Sequence, residues 1–338
     1  MKAKNTMEAA KLGTNYFLKG VREQTNTLQK LCPLYDLIIG YGSFGLAEAD
    51  MANKPFISVV IDPTMAEKKF TKNMKLNMGL ILEKLALYFL MGRKYEQFRK
   101  EIGASPSSKS NNPQLILLPM SQHVVKPEDN WTSRNVISGY WYLPAPSSYS
   151  PPEDLQEFIE NEEPPIFISF GSAGWSEEDN SSLLKILFEG VQLAGSRAII
   201  LNTEKYDSEI PDHIYLIKEI PFDWLFGYCS CVVHHYGLGT TAEVLKAGLP
   251  SIPVPYMIDQ FAWAERIHSL GVATHPIPRK EFTPEKLSKA ITESLNNQVI
   301  RENADKIGLK IREEDGLKSA VRAIKSLLNK LDNNRIIG

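Results

Sequence analysis

Short apolar runs alternate with longer amphipathic stretches along the chain. In the first half these runs are dense in Leu, Ile and Val and have the length of buried strands. They lie at 36–40, 55–61, 114–119 and 137–141. Residues 1–31 and Leu46–Asn53 have helical patterns. Because strands that alternate with helices are typical of a parallel sheet, the pattern predicts an α/β fold.

The same alternation resumes after a segment rich in proline and serine, LPAPSSYSPP. Five more runs predict strands at 166–170, 197–201, 213–217, 231–234 and 251–254. Residues 283–333 have the pattern of closing helices with charged outer faces. We therefore predict two domains, 1–143 and 153–338, joined by an exposed linker at 144–152, with a doubly wound sheet in the second.

Composition and charge narrow the class of partner. The 338 residues include 38 Lys and Arg against 40 Asp and Glu, a net charge of −2. Such a balance excludes a global positive field that attracts nucleic acid, so no nucleic-acid partner is expected. The three cysteines, Cys32, Cys229 and Cys231, have spacings that suit neither a disulfide framework nor a zinc ribbon. These features favour a reducing, cytoplasmic compartment.

No apolar stretch reaches the roughly 18 residues that a membrane span needs, and the N-terminus lacks the apolar core of a signal peptide. Met78–Met91 is the richest apolar segment, and it follows a run of lysines. An apolar helix face beside lysines is suited to peripheral contact with a membrane surface. The alternative is a helix packed in the core.

The segment 231–248 combines a buried strand, a turn that contains glycine, and a helix. Thr240 and Glu243 have the spacing of a capping box, and the turn before them leaves backbone N–H groups at the positive helix end. This arrangement predicts a site for a diphosphate, to which His234 adds a donor. The alternative is a tight strand-to-helix connection around a packed histidine.

Two further segments carry polar groups suited to the same ligand. Gly171 and Ser172 follow the strand at 166–170 and offer an N–H and a hydroxyl. Asp259 and Gln260 stand at the start of a helix, where a carboxylate and an amide suit vicinal sugar hydroxyls. The alternative for Asp259 is a simple helix N-cap.

The motifs FGS (170–172), PFDWLF (221–226), HHYGLGTT (234–241), AGLPSIPVP and DQ followed by WAERIHSLGVA occur in this order. Together they resemble the C-terminal domain of nucleotide-sugar glycosyltransferases of the GT-B fold, specifically the UDP-glycosyltransferase family. Sterol 3-beta-glucosyltransferases and the bacterial enzymes that glycosylate macrolides and glycopeptides resemble the chain most. YDLIIGYGSF, ADMANKPFISV and ISGYWYLP resemble the second half of the family's N-terminal domain. The resemblance implies two Rossmann-like domains, the N-terminal one truncated.

The resemblance also implies residue roles. The donor diphosphate would be bound by Gly171, Ser172, His234, Gly237, Leu238, Gly239, Thr240 and Thr241. The hexose would be held by Asp259 and Gln260, and the base pocket would be lined by Lys218, Glu219, Ile220, Pro221 and Phe222. Such enzymes invert the anomeric carbon by direct displacement. The resemblance implies no metal and no cofactor, with the UDP-sugar as co-substrate.

The chain departs from the family pattern in three places. Tyr236 stands where the family usually has Gly, so it is expected to narrow the phosphate turn or to strain its backbone. Phe222 stands where the family usually has His or Gln. The glycine-rich first strand and the catalytic base of the family have no counterpart, so no catalytic residue is assigned. His123 and Asp62 are the nearest titratable substitutes, and for each the alternative is an ordinary loop residue.

The leading hypothesis is a glycosyltransferase that moves a hexose from a UDP-sugar, with UDP-glucose as first candidate, to a hydroxyl of a lipophilic acceptor such as a sterol or polyketide. The alternative is a non-catalytic nucleotide-sugar-binding remnant or partner subunit, and a third reading is a nucleotide-sugar epimerase or hydrolase. A truncated parallel sheet has an exposed apolar edge. We therefore expect self-association or a second chain that completes the N-terminal domain.

Overall fold

The computed structural model describes residues 6–61, 92–110, 112–127, 129, 131–160, 163–171, 177–204, 206–256 and 258–337. These residues form two compact units. The first unit contains the described residues up to 139 and the last helix, and the second contains the described residues from 140 to 315. The division after Gly139 lies a few residues before the predicted linker. The last helix belongs to the first unit and not to the second domain as predicted. A charged amphipathic pattern does not reveal which sheet a helix packs on.

Among the described residues, four parallel strands form the sheet of the first unit, in the order β1-β2-β3-β4. In chain order the elements are α1 (Thr6–Leu31), β1 (Ile38–Tyr41), α2 (Leu46–Met51), β2 (Phe56–Val59), α3 (92–101), β3 (Leu115–Leu118) and β4 (Asn135–Ile137). The last strand was predicted two residues too late, at 137–141. Gly139 has a φ of 91°, which extended strand backbone does not adopt, so the strand ends before it.

Five parallel strands form the sheet of the second unit, in the order β7-β6-β5-β8-β9. Its elements are α4 (Glu153–Glu160), β5 (Ile166–Ser169), α5 (Glu177–Leu193), β6 (Ala198–Leu201), β7 (Ile214–Ile217), α6 (Phe222–Leu225), β8 (Val232–His234), α7 (Leu238–Ala247), β9 (Ser251–Pro253), α8 (Ile258–Ser269), α9 (Pro284–Asn296) and α10 (Gln298–Arg312). The last helix of the chain is α11 (Gly316–Ile337). All five strands begin and end within one residue of the predicted runs.

The second sheet is covered on both faces. Alternate residues of its central strands belong to different hydrophobic clusters: Ile166 and Ile168 to one, Phe167 and Val232 to the other. The burial of both faces explains why the strands are continuous apolar runs without polar alternation. The fold therefore confirms the predicted α/β class with two parallel sheets.

One edge of the first sheet is open among the described residues. β1 pairs only with β2, and the N–H of Ile38 donates to the Pro55 carbonyl just before that strand, while the N–H of Gly42 donates to Val59 at its end. In a parallel pair alternate residues bond to opposite sides, so the backbone groups of Ile39 face away from β2. Six large apolar side chains at or near this strand are more than a third exposed: Leu31, Leu34, Tyr35, Ile39, Tyr41 and Met51. We call these six residues the β1 edge patch.

No helix of the described residues is long and apolar enough to cross a membrane. Met78–Met91, for which membrane contact was considered, lies outside those residues.

A buried ion pair joins α2 to α3. The Arg99 guanidinium is fully buried, and its Nη2 lies 2.6 Å from Asp50 Oδ2. Asp50 Oδ1 accepts hydrogen bonds from Ser110 Oγ (2.8 Å) and Asn112 Nδ2 (2.6 Å), and Arg99 Nε donates to the Ser105 carbonyl (2.7 Å). The carboxylate of Asp50 therefore fixes the loop that leads into β3 while it neutralises a buried cation.

We expect Asp50→Ala to destabilise the first unit by about 3 kcal/mol, because it leaves the Arg99 charge buried without its partner. Hydrogen exchange of peptides from the first unit, followed against urea concentration, measures this loss. Glu101→Gln is the matched control, since it removes an exposed ion pair with Arg22 and should leave the exchange profile nearly unchanged. An equal effect of the two substitutions would contradict the prediction.

Candidate functional site

The candidate site lies where the strand order of the second sheet reverses. β6 and β7 follow β5 on one side, whereas β8 and β9 lie on its other side. β5 and β8 are paired in register, with Ser169 opposite His234. The turns that leave these two strands are therefore adjacent, in the crevice where open α/β sheets bind their ligands.

The N-terminus of α7 faces this crevice without a side-chain cap. Its N-cap residue is Gly237, which has no side chain to accept from the first-turn amides, and the helix begins at Leu238. Gly239 is exposed, and a Cβ built on it would meet no atom within 4 Å. Backbone donors at the positive end of a ten-residue helix can therefore meet an anion.

The predicted capping box is wrong. Thr240 lies inside the first turn of α7, so it cannot be the cap of this helix. Glu243 lies 3.8 Å from Lys246, and burial raises the pKa of its carboxyl. Thr241 is buried, and its hydroxyl donates to the Gly237 carbonyl at 2.9 Å. The spacing was misleading because the helix begins three residues earlier than the pair suggests.

His234 is fully buried at the end of β8. Its Nδ1 accepts the N–H of Tyr236 at 3.2 Å, and its ring stacks on the Tyr236 ring with centroids 4.1 Å apart. Because Nδ1 is the acceptor, the neutral ring carries its proton on Nε2, which has no hydrogen-bond partner. Burial holds the pKa of this histidine well below its usual value. The ring is thus a neutral, packed side chain whose Nε2–H is buried without an acceptor.

His235 is the residue that sequence reasoning missed. Its imidazole lies against the backbone of both turns: a Cβ on Gly171 would be 2.5 Å from its Cε1, and one on Gly237 would be 2.6 Å from its Nε2. The Nδ1 atom is buried without a partner, and burial lowers the pKa of the ring. The sequence offered one signal, since a second histidine directly follows His234, where the strand gives way to the turn.

Tyr236 adopts left-handed backbone, with a φ of 67°. This conformation costs a residue other than glycine about 1–2 kcal/mol. The side chain turns away from the crevice into the interior, where it is fully buried and its hydroxyl bonds Ser251 Oγ. The expected strain in the Tyr236 backbone is confirmed. The aromatic ring lies beneath the phosphate turn and not in the crevice.

Asp259 and Gln260 lie in the first turn of α8. Asp259 is exposed and is the second residue of the helix, so it is not the N-cap. The Gln260 side chain is buried, and its Oε1 accepts the N–H of Tyr256 at 3.0 Å. Tyr256 lies between this turn and the crevice, because its hydroxyl donates to the Phe170 carbonyl and its ring centroid is 6.0 Å from that of His235.

The segment predicted to line a base pocket follows β7. Lys218 and Glu219 are exposed, whereas Ile220 is buried in the core. Phe222 stacks on Phe226 with centroids 5.1 Å apart. Phe222 therefore supplies an apolar surface where a histidine or glutamine would offer a hydrogen bond.

Three predicted residues do not belong to the described part of this cluster. Ser172 and Asp62 are outside the described residues. His123 belongs to the first unit, where its backbone N–H donates to Ser121 Oγ. The structure thus gives no assignment of a catalytic base.

The chain is similar in sequence to glycosyltransferases. Residues 196–315 match the family model described as "Erythromycin biosynthesis protein CIII-like, C-terminal domain". Sterol 3-beta-glucosyltransferase UGT80A2 of Arabidopsis thaliana is 37% identical over 228 residues, which cover 66% of this chain and 34% of that protein. The sterol 3-beta-glucosyltransferase of Aspergillus clavatus is 35% identical over 218 residues, 60% of this chain and 15% of that protein. The chain thus spans about a third or less of these two relatives.

Solved structures with the same fold include two glycosyltransferases. The glycotransferase of kitacinnamycin has a TM-score of 0.71 at 17% identity, and the match covers 96% of this chain and 83% of that chain. SnogD from Streptomyces nogalater has a TM-score of 0.64 at 16% identity, with 96% and 80% covered. At these identities the likeness shows the fold.

We expect the stability of the second unit to fall as the pH drops below about 6.5, the ordinary histidine pKa. Because the folded-state pKa of His234 is depressed, the unfolded chain binds a proton there that the folded chain does not, and this favours unfolding. Below that pH, one such histidine lowers the free energy of unfolding by up to about 1.4 kcal/mol per pH unit. Urea unfolding from pH 7.5 to 5.0 measures the slope, and His234→Gln should reduce it. An unchanged slope in this variant would contradict the assignment.

Proposed function

Because the chain belongs to the UDP-glycosyltransferase family and has the GT-B fold, we propose that it transfers a hexose from a UDP-sugar to a hydroxyl of a lipophilic acceptor, with inversion. UDP-glucose is the first candidate donor, and a sterol or polyketide is the candidate acceptor class. The names of the two curated relatives, both sterol glucosyltransferases, support this choice.

The observation that carries the proposal is the uncapped N-terminus of α7 at the sheet's switch point. The backbone N–H groups of Leu238, Gly239 and Thr240 are the groups proposed to bind the donor diphosphate, with the Gly171 turn on the other side. Thr240 adds its hydroxyl, whereas that of Thr241 already bonds the Gly237 carbonyl. Such fixed dipoles also stabilise the charge that develops on a departing diphosphate, so the proposal needs no metal.

Asp259 is proposed to hold the hexose. Its carboxylate is exposed in the first turn of α8 and can accept hydrogen bonds from two vicinal hydroxyls. Gln260 is proposed to have a different role, because its side-chain Oε1 accepts a hydrogen bond from the Tyr256 N–H. We propose that Gln260 positions the turn and that Asp259 makes the stronger contact with the sugar.

Transfer by this route is a direct displacement. The acceptor oxygen forms a bond to the anomeric carbon, the bond from that carbon to the diphosphate breaks, and a general base takes the acceptor's proton. No described residue is assigned as that base. The alternative function is a nucleotide-sugar-binding partner that needs another chain for catalysis, and an assay of sugar transfer with the purified chain distinguishes the two.

We expect Gly239→Asp to weaken UDP binding at least tenfold, because a carboxylate in the first turn of α7 repels the diphosphate. The same charge favours the helix dipole, by about 0.3–1 kcal/mol, so the folded protein should not lose stability. Isothermal titration with UDP and UDP-glucose, paired with thermal unfolding, separates binding from folding.

Gly239→Ala is the matched control, since the position has open space and positive φ is not required there. Its UDP affinity should stay within a few fold of that of the unaltered chain. Equal UDP affinity in the Gly239→Asp variant, or no binding of UDP by the unaltered chain, would refute donor binding at α7. Asp259→Ala should weaken UDP-glucose binding and leave UDP binding unchanged.

We further propose that another polypeptide chain covers the β1 edge patch. Strands of parallel sheets are normally covered on both faces, and β1 combines outward backbone groups with exposed apolar side chains. A second copy of this chain, or a partner that completes the sheet, would bury that surface. This arrangement is consistent with the alternative function, in which a second chain supplies the general base.

We expect the purified chain to self-associate at micromolar concentration and Ile39→Lys to reduce that association, because a charge on the open edge opposes strand pairing. Sedimentation velocity measures both. Leu309→Lys on α10, which is also exposed, is the control and should have no effect. A stable monomer of the unaltered chain would count against the covered edge.

A further inference from the structure

Two histidines lie together at the far end of α8. His268 is in the last turn of this helix, and His275 lies in the segment that follows the bridge between Ser251 and Ala273. Their ring centroids are 5.3 Å apart and the ring planes are inclined by 65°. His275 is exposed and His268 is half-buried, so solvent reaches the pair.

The hydrogen bonds of both rings fix the same tautomer. His268 Nδ1 lies 3.0 Å from the Ala273 carbonyl oxygen, and His275 Nδ1 lies 3.1 Å from that of Pro276. A carbonyl only accepts, so each Nδ1 must carry a hydrogen. In each neutral ring the lone pair is therefore on Nε2. Histidines that bind metals commonly have this arrangement, with the second nitrogen donating to a backbone carbonyl.

The backbone that holds the two carbonyls is itself fixed. The Thr274 N–H donates to the Ser251 carbonyl at 3.0 Å, and the Ile277 N–H donates to the Pro253 carbonyl at 2.8 Å. Residues 273–277 thus run beside β9 as an extension of the sheet. The two imidazoles are held at a set separation, which lowers the entropic cost of binding one ion with both.

We propose that His268 and His275 bind one divalent transition-metal ion through their Nε2 atoms. Imidazole suits Zn²⁺, Cu²⁺ and Ni²⁺, and not Mg²⁺ or Ca²⁺, which prefer oxygen ligands. Two imidazoles on one tetrahedral zinc, with Zn–N distances of about 2.0 Å, have ring centroids about 5 Å apart, close to the separation in this pair. Water fills the remaining positions, since the described residues contain no cluster of three or more His, Cys, Asp and Glu.

The site is separate from the proposed donor site. Asp259 and His268 are nine residues apart in α8, about 14 Å along the helix axis. A bound ion would join the last turn of α8 to the segment beside β9, and it would stabilise the folded second unit by mass action. Metal binding therefore does not depend on whether the chain binds a UDP-sugar.

The test is isothermal titration of the metal-free chain, freed of any affinity tag, with ZnCl₂ and with NiCl₂. We expect one ion per chain, and at least tenfold weaker binding in His275→Gln and in His268→Gln separately. His123→Gln is the matched control, because it removes a histidine of the first unit and should leave the affinity unchanged. The three cysteines are buried, so they do not compete.

A second measurement needs no variant and therefore tests the shared site even if the substituted chains fold poorly. In the unaltered chain, a small amount of Cu²⁺ should broaden the ring resonances of His268 and His275 together, before those of the other four histidines, and MgCl₂ should change neither. Equal affinity in the unaltered chain and His275→Gln would overturn the shared site. Broadening of one ring alone, or no zinc binding, would overturn it too.

Discussion

The parallel pairing of β5 with β8 is the constraint on which the candidate site depends. It sets Ser169 beside His234 and thereby brings the two following turns together. The imidazole of His235 fills the gap between them so closely that a Cβ at Gly171 or Gly237 would come within 2.6 Å of the ring. Glycine at these two positions is therefore a packing requirement of the paired turns. The uncapped start of α7 is held in place by the same contacts.

Tyr236 shows how strain at this turn is offset. Its left-handed backbone costs free energy, but its ring is fully buried, stacks on His234 and bonds Ser251. A glycine would adopt the same backbone without strain and would leave a cavity beneath the turn. At Tyr236 the packing of the buried ring therefore offsets the cost of the left-handed backbone.

The two units differ in how far their sheets are covered. The second sheet has hydrophobic clusters on both faces and a switch point where a ligand can enter. Among the described residues the first sheet has an open edge at β1, although a buried Arg99–Asp50 pair holds its helices and the loop before β3. The proposed donor site thus lies in a unit whose sheet is covered on both faces, whereas the first unit has a surface suited to a further chain.

The sequence by itself determined the α/β class, the strands of the second sheet and the motif that carries the phosphate turn, because apolar runs and glycine turns are local signals. It could not determine the capping of α7, since a Thr-to-Glu spacing fits several helix starts, nor the sheet on which α11 packs. Only the tertiary structure showed that His235 lies between the two turns while His234 is enclosed, and that His268 approaches His275. These placements depend on strand pairing and on contacts with chain segments distant in sequence, so no local sequence pattern predicts them.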